Sequence, residues 1–433
     1  MNTDNLIGRV GKFNVISRED CFTSHAGMLL VKGFADELGV ADILNQELKV
    51  KQRHRGYSEA EAVLGLVYNT VIGGDCLSDL EVLRGDPGTR ELIAMPEVIA
   101  PTSAGEHLRK FDIGSIHDLQ RVNQHLQQQV RPKQQSEVCT LDLDSSIYEQ
   151  ASKKKEGSTK AYNGEVGYHP LFAFWDETGE LVMSHLRRGS AYTASKARWF
   201  LNQCIKRLPA QSTKKMRADS GFYSQDVVRW CEANDVVFAI TADQTAPLMQ
   251  AILGLEEDNW QDLERYGVAQ VAELRYQAVR WEKEYRYVVK RELDVNKAGE
   301  LYFRYHVHVT NNQELEASKQ LEWHLGHANM ENRIKEHKSG FGMEKLPTKK
   351  FHANWAYLLI GQIAYNLIAW MKRLVLPEGY HRATIKTIRH QLLNLAGKIV
   401  KSGRRRYLVI SDEYRYKKVW KEAIEKLSAL SFA

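Results

Sequence analysis

Apolar and polar positions change their period along this chain, and each change marks a boundary. As far as about residue 130 the apolar residues recur at helical spacing. Three Ser-x-x-Glu steps, Ser58–Glu61, Ser78–Glu81 and Ser103–Glu106, have capping-box spacing, in which a serine oxygen and a glutamate carboxylate take up free N–H groups of a first turn. The first opens a helix over Ala60–Ile72 that is apolar on one face. A Gly/Pro-rich break, Gly85–Gly88, separates the other two. A polar helix over Ser115–Val130 runs into RPKQQS, which reads as a linker. Short capped helices with tight turns fit a helix-turn-helix, and equally a small helical packing unit.

From Ser136 the pattern alternates. Strands are expected at Val138–Leu143, Leu171–Trp175 and Leu181–Leu186, the last two joined by a turn at Asp176–Gly179. A helix near Ala194–Arg207, a strand at Lys215–Ala218, a helix from Ser224 and a strand at Val236–Ile240 follow. A three-strand meander followed by strand–helix units implies an α/β fold, a mixed sheet with helices on its faces, in the order of a ribonuclease-H-like core. Residues 245–310 interrupt that order. Their alternating segments Tyr285–Val289 and Leu301–Thr310 read as a β-rich insertion placed before a helix around Glu331. The run Trp355–Met371, broken by Gln362 and Asn366, reads as a buried core helix rather than a membrane span. A helix near Ala383–Leu395, a basic hairpin-like stretch at Arg404–Ile410 and a final helix after Tyr414 end the chain.

Composition narrows this picture. At 433 residues, 43% hydrophobic and 26% charged, the chain is a globular protein of about two to four domains. Its net charge of +6 is gathered in basic clusters at Lys51–Arg55, Lys153–Lys155, Lys214–Arg217 and Arg404–Lys418, which permits a polyanionic partner without requiring one. Five cysteines without a Cys-x-x-Cys pair imply reduced thiols in a cytoplasmic protein, and the N-terminal residues lack an apolar signal core.

The candidate chemistry is acidic. Asp142 and Asp144 stand two apart at the end of one strand, so both project from the same sheet face. Asp219 ends another strand, with Ser220-Gly221 permitting a tight turn. Ligands of open α/β sheets collect beyond such strand ends, and two aspartates there are placed to share a cation, although turn residues and N-caps have the same appearance. On the later helix His324, His327, Glu331 and Lys338 are spaced three, four and seven, an arc of about 60° in a regular α-helix, with Lys335 beside it. That stripe offers a carboxylate for metal and donors for phosphate. A solvated helix shows the same pattern. A zinc site is a rival reading, but the spacing is not His-Glu-x-x-His and two lysines oppose a second cation.

At these residues the chain resembles DDE-type insertion-sequence transposases, in particular the family numbered thirteen-eighty, related to the group with a Tyr-x2-Arg-x3-Glu-x6-Lys helix. LDLDSS fits the first-aspartate strand with Asp144, RADSGFY fits the second with Asp219, Gly221 and Tyr223, and HLGHANMENRIKEHKSGFG places Glu331 and Lys338. TSHAGMLLVKGFADELGV and AYNLIAW are similar to that family as well. His324 and His327 stand where the related group has tyrosine and arginine. The resemblance implies catalytic, metal-binding Asp144, Asp219 and Glu331, holding Mg²⁺ or Mn²⁺. It also implies phosphate contacts from Lys338, Lys335, His327 and His324, and cutting and joining of double-stranded DNA at terminal inverted repeats and target sites. A homodimer on DNA in a bacterial nucleoid follows from it. In the β-rich segment Trp281, with Tyr285, Tyr287 and neighbouring cations, is a candidate for holding unstacked bases. The expected division is a helical DNA-binding domain (1–135), a catalytic core in two parts (136–244 and 311–375), the insertion (245–310) and a small basic C-terminal region (376–433). A ribonuclease-H-like nuclease without transposition, and a DNA-binding repressor derived from such an enzyme, are the alternatives.

Overall fold

The two aspartate-bearing strands lie side by side within a nine-stranded mixed sheet. This is seen in a computed structural model that describes residues 6–10, 12–17, 20–51, 56–152, 154–263 and 268–432. We number the strands of this sheet β1 (Val138–Ser145), β2 (Leu171–Trp175), β3 (Glu180–His185), β4 (Thr213–Ala218), β5 (Val237–Thr241), β6 (Gln261–Asp262), β7 (Ala269–Tyr276), β8 (Tyr285–Val295) and β9 (Leu301–Thr310). Their order is β6-β7-β8-β9-β5-β4-β1-β2-β3. β1, β4 and β5 run parallel, and every other pairing is antiparallel.

Helices cover both faces, and strand alternation divides the core between them. Phe172 and Phe174 of β2 enter one apolar cluster, while Leu171, Ala173 and Trp175 enter the other. The first cluster also takes in the N-terminal helices, the helix Phe351–Leu374 and the C-terminal segment, so these distant parts of the sequence share one core. In that long helix every residue from Ala353 to Met371 is buried. Gln362 and Asn366, which break its apolar run, serve the outer, buried edge of β3. Asn366 accepts from Leu181 N at 2.8 Å and Gln362 accepts from Ser184 N at 3.1 Å, while Gln127 donates to Val182 O at 2.9 Å. A sheet edge that ordinarily invites another strand is thereby closed by side-chain amides. Among the described residues no helix is long and apolar enough to cross a membrane.

Several expectations are corrected. Of the three capping boxes only Ser58–Glu61 forms. Ser78 lies inside a 3₁₀ turn and Ser103 inside a helix that begins at Pro101, so neither stands at a cap. The helix Glu59–Ile72 is buried on all sides from Ala62 onward rather than on one face. RPKQQS is not a loose linker, because Arg131 forks onto Glu180 with two bonds of 2.6 Å. The β-rich segment is no separate insertion body. β9 pairs with β5 (Ala239 opposite Thr310), so β7 to β9 extend the same sheet, and β7 was not foreseen. The stretch read as mostly helical also holds the strand Cys21–Thr23, which pairs with a C-terminal hairpin, Gly397–Ser402 and Arg405–Val409. Most of the basic cluster at Lys51–Arg55, and Lys153, lie outside the described residues.

Candidate active site

Strand register brings the two aspartates level. In the parallel pair of β1 and β4, Arg217 stands opposite Asp142 and Ala218 opposite Leu143, so the next residues, Asp144 and Asp219, leave adjacent strand ends together. Neighbouring strands are about 4.8 Å apart. Asp144 accepts Ser145 N at 2.6 Å, and Asp219 caps the turn Ser220–Phe222 by accepting Gly221 N at 3.1 Å. A Cβ at position 221 would come within 2.5 Å of Thr193 Cγ2, which accounts for glycine there. Among the described residues neither carboxylate is hydrogen-bonded to a basic side chain. Burial, then the charge of Asp219 and more weakly that of Glu331, pushes the Asp144 carboxyl up to about 7. Burial raises that of Asp219 as well.

Asp142 is built for a different task. Fully buried, it accepts Arg217 Nε at 2.7 Å and NH2 at 2.8 Å, with His327 Nδ1 at 3.2 Å. Burial opposes its charge, but these donors hold its carboxyl below the usual range. Arg217 also binds Asp176 at 2.6 Å and Trp323 O at 2.8 Å, and Arg333 binds Asp176 at 2.7 Å. This network ties the Glu331 segment to β1 and β4. Its arginines were missed in the sequence, although a signal was present: opposite charges stand two residues before each aspartate, at positions that parallel pairing makes neighbours.

The Glu331 segment is not one regular helix. A 3₁₀ turn, Gly326–Ala328, separates Ala317–Leu325 from Asn329–Lys335, and a π turn, Glu336–Gly340, follows. The proposed single stripe is therefore split. Glu331, Lys335 and Lys338 line a cleft of about 330 Å³ with Asp144, Ser145 and Ser146. Lys335 is exposed. Lys338 donates to Ile147 O at 3.0 Å and lies 3.3 Å from Glu344 at the cleft wall. His327 is half-buried, and its charge lowers both the Asp144 and Asp219 carboxyls.

His324 is corrected as a phosphate contact. It is buried, stacked on His308 with ring centroids 4.3 Å apart, and bonded through Nε2 to Thr241 at 3.0 Å. Burial holds its pKa well below the ordinary value. Trp281 is likewise buried, edge-on to Tyr285 and against Tyr223, and offers no face to a base.

The donor set fits a hard divalent cation. Asp144 and Asp219 are oxygen ligands with raised carboxyl pKa values and no basic hydrogen-bond partner, whereas nearby Asp142 is saturated by Arg217. Asp219 does not line the cleft itself, and it joins the site through strand register. Among the described residues the one trio of metal-capable side chains with all ligand atoms within 4.8 Å is Asp75, Cys76 and Asp79. Asp144, Asp219 and Glu331 do not come within that spacing of one another. In the tighter trio Asp79 accepts the N–H groups of Asp75 and Cys76, and Asp75 pairs with Lys345, so those groups already have partners.

Residues 17–432 match the family described as "Transposase DDE domain group 1". Among solved structures the chain is similar to that titled "Cryo-EM structure of piggyBac transposase synaptic complex with hairpin DNA (SNHP)". The two share 12% identity over 84% of this chain and 79% of that chain, with a TM-score of 0.45. No curated protein matches.

Proposed function

For a chain that belongs to the group 1 family of DDE-domain transposases, we propose a reaction in which Asp144, Asp219 and Glu331 cut DNA at the terminal inverted repeats of an insertion sequence and join the ends to target DNA. The observation that carries this reading is the level placement of Asp144 and Asp219 at adjacent parallel strand ends, beside a cleft walled by Glu331. Mg²⁺ or Mn²⁺, when bound, supplies stabilisation of the attacking and departing oxygens of an in-line displacement. The chain's residues do the rest. The three carboxylates hold the ions, with strand ends fixing two of them. Lys335 offers an unshielded ammonium to a phosphate in the cleft, and Lys338 ties its segment to Ile147 O at the cleft. His327, held through Nδ1 by Asp142, keeps its other ring nitrogen for the site.

The core is read as ribonuclease-H-like, with β7 to β9 as its elaboration, and the active assembly as a dimer on paired element ends. Recognition of the repeats does not use the helix Glu59–Ile72 as a groove reader, since that helix is buried from Ala62 to its end. The test is incubation with labelled element-end DNA and Mg²⁺. Nicks at the element boundary and joined products are expected from the native chain. Asp144→Ala, Asp219→Ala and Glu331→Ala variants should bind DNA without cutting it. Cutting retained in any one of them removes that residue from the mechanism, and nicks without joined products reduce the reading to a nuclease.

A further inference from the structure

Positive charge is concentrated in one place. Residues 398–421 carry nine Lys and Arg against two Asp and Glu, a surplus of seven, whereas the whole chain has a net charge of +6. Outside this stretch the chain is close to neutral. Most of the surplus sits on the hairpin Gly397–Ser402/Arg405–Val409, turned at Gly403 with φ 59°, and on the approach to the helix Lys417–Ala429.

The hairpin's two faces differ. On the inner face Ile399 is buried, and Lys401 and Arg406 both reach Glu91 at 3.3 Å. The outer face presents Phe22, Val400, Tyr407 and Val409, all exposed, with Lys398 lying 5.5 Å over the Phe22 ring. At the tip Arg404 and Arg405 are exposed, and among the described residues neither has an acidic partner. The same holds for Arg415 and Lys418 beyond the hairpin. Lys401 and Arg406 are thus neutralised by Glu91, and Lys398 by Asp20 at 3.0 Å, while the tip arginines Arg404 and Arg405 are not.

We propose that this hairpin is a second docking surface for double-stranded DNA, on a different sheet from the carboxylate cleft. The inference rests on the DNA-cutting reading above. Free guanidinium forks match phosphate oxygens, and a two-stranded ribbon has the width that a major groove of about 12 Å admits. The duplex flanking the cut site is the occupant, held by its backbone while the cleft acts on the scissile bond.

The experiment compares the full-length chain with Arg404→Ala/Arg405→Ala, measuring binding of a labelled duplex in EDTA between about 50 and 200 mM salt. Each phosphate contact removed lowers the salt slope by about 0.9, so the double variant should lose a slope of about 2 and bind roughly tenfold more weakly or worse at low salt. Both side chains are exposed and unpaired, so the thermal transition should be unchanged. An unaltered affinity and slope overturns the proposal. So does a variant whose only defect is weaker self-association or weaker binding to anionic lipid vesicles. A native chain that cuts element ends while the variant binds duplex normally sinks the docking surface alone. A native chain that binds no duplex sinks both readings.

Discussion

Asp142 and Arg217 stand directly opposite one another on parallel strands and are joined by a two-pronged bond of 2.7 and 2.8 Å beneath the Asp144–Asp219 pair. Arg217 is only 3% exposed. Replacing Asp142 by Asn leaves much of that buried charge uncompensated, and breaking such a pair costs about 3–5 kcal/mol. Asp176, which also binds Arg217, places the expected loss near the lower end. Urea midpoints should show it, whereas Asp144→Asn should show no such loss.

Asp144 carries the opposite pH dependence to a salt-bridged acid. Its carboxyl titrates at about 7 in the fold and at about 3.9 in an unfolded chain. Between those values the folded state keeps a proton that the unfolded state has lost. The contribution of this group to stability is therefore present below about 4 and is lost as pH rises to about 7. Thermal melts of metal-free protein should show this fall, and Asp144→Asn should flatten it.

The same proton competes with metal. Apparent Mg²⁺ or Mn²⁺ affinity should rise with pH through about 7, with release of up to one proton on binding below that point. Calorimetry in buffers of different ionisation enthalpy measures the proton directly, and a buffer-independent heat would contradict the assignment.

Gly326 gives Arg217 the room to reach Trp323 O. A Cβ there would lie 2.2 Å from the guanidinium nitrogen that makes this bond. An arginine tip ordinarily moves aside, but this one is pinned by Asp142 and Asp176. Gly326→Ala should therefore displace the Glu331 segment and slow DNA cutting by tenfold or more, with duplex affinity unchanged. Equal losses in cutting and binding would point to general misfolding instead.

Gln362→Leu keeps the apolar character of its helix but leaves Ser184 N without its acceptor. A buried unsatisfied donor costs about 1–3 kcal/mol. The denaturation midpoint should fall accordingly, with a stronger tendency to associate through the opened strand edge.

Much of the central sheet was readable. The strands over 138–143, 171–175 and 215–218 lie within one or two residues of their observed bounds, because each carries buried apolar residues and is followed closely by turn residues. Gln362 and Asn366 were read as interruptions because their partners are backbone groups more than 170 residues away. The histidine stripe failed for a local reason. Residue spacing was converted to an angle at 100° per residue, and the 3₁₀ and π turns on either side of Glu331 invalidate that conversion. The π turn also carries His337 into the core beside Tyr148 while leaving Lys338 at the cleft. Trp281 misled because aromatic residues next to cations are as common in a packed strand neighbourhood as on a base-binding surface.

The return of β9 to lie against β5 separates distance along the chain from distance in space. Between the second and third acids the polypeptide runs out along β8, reverses at Asn296–Glu300 and comes back, so the bend bears none of the load that sets the carboxylates. Extra residues, or an entire reporter domain, spliced into that bend would lengthen the gene without disturbing the chemistry.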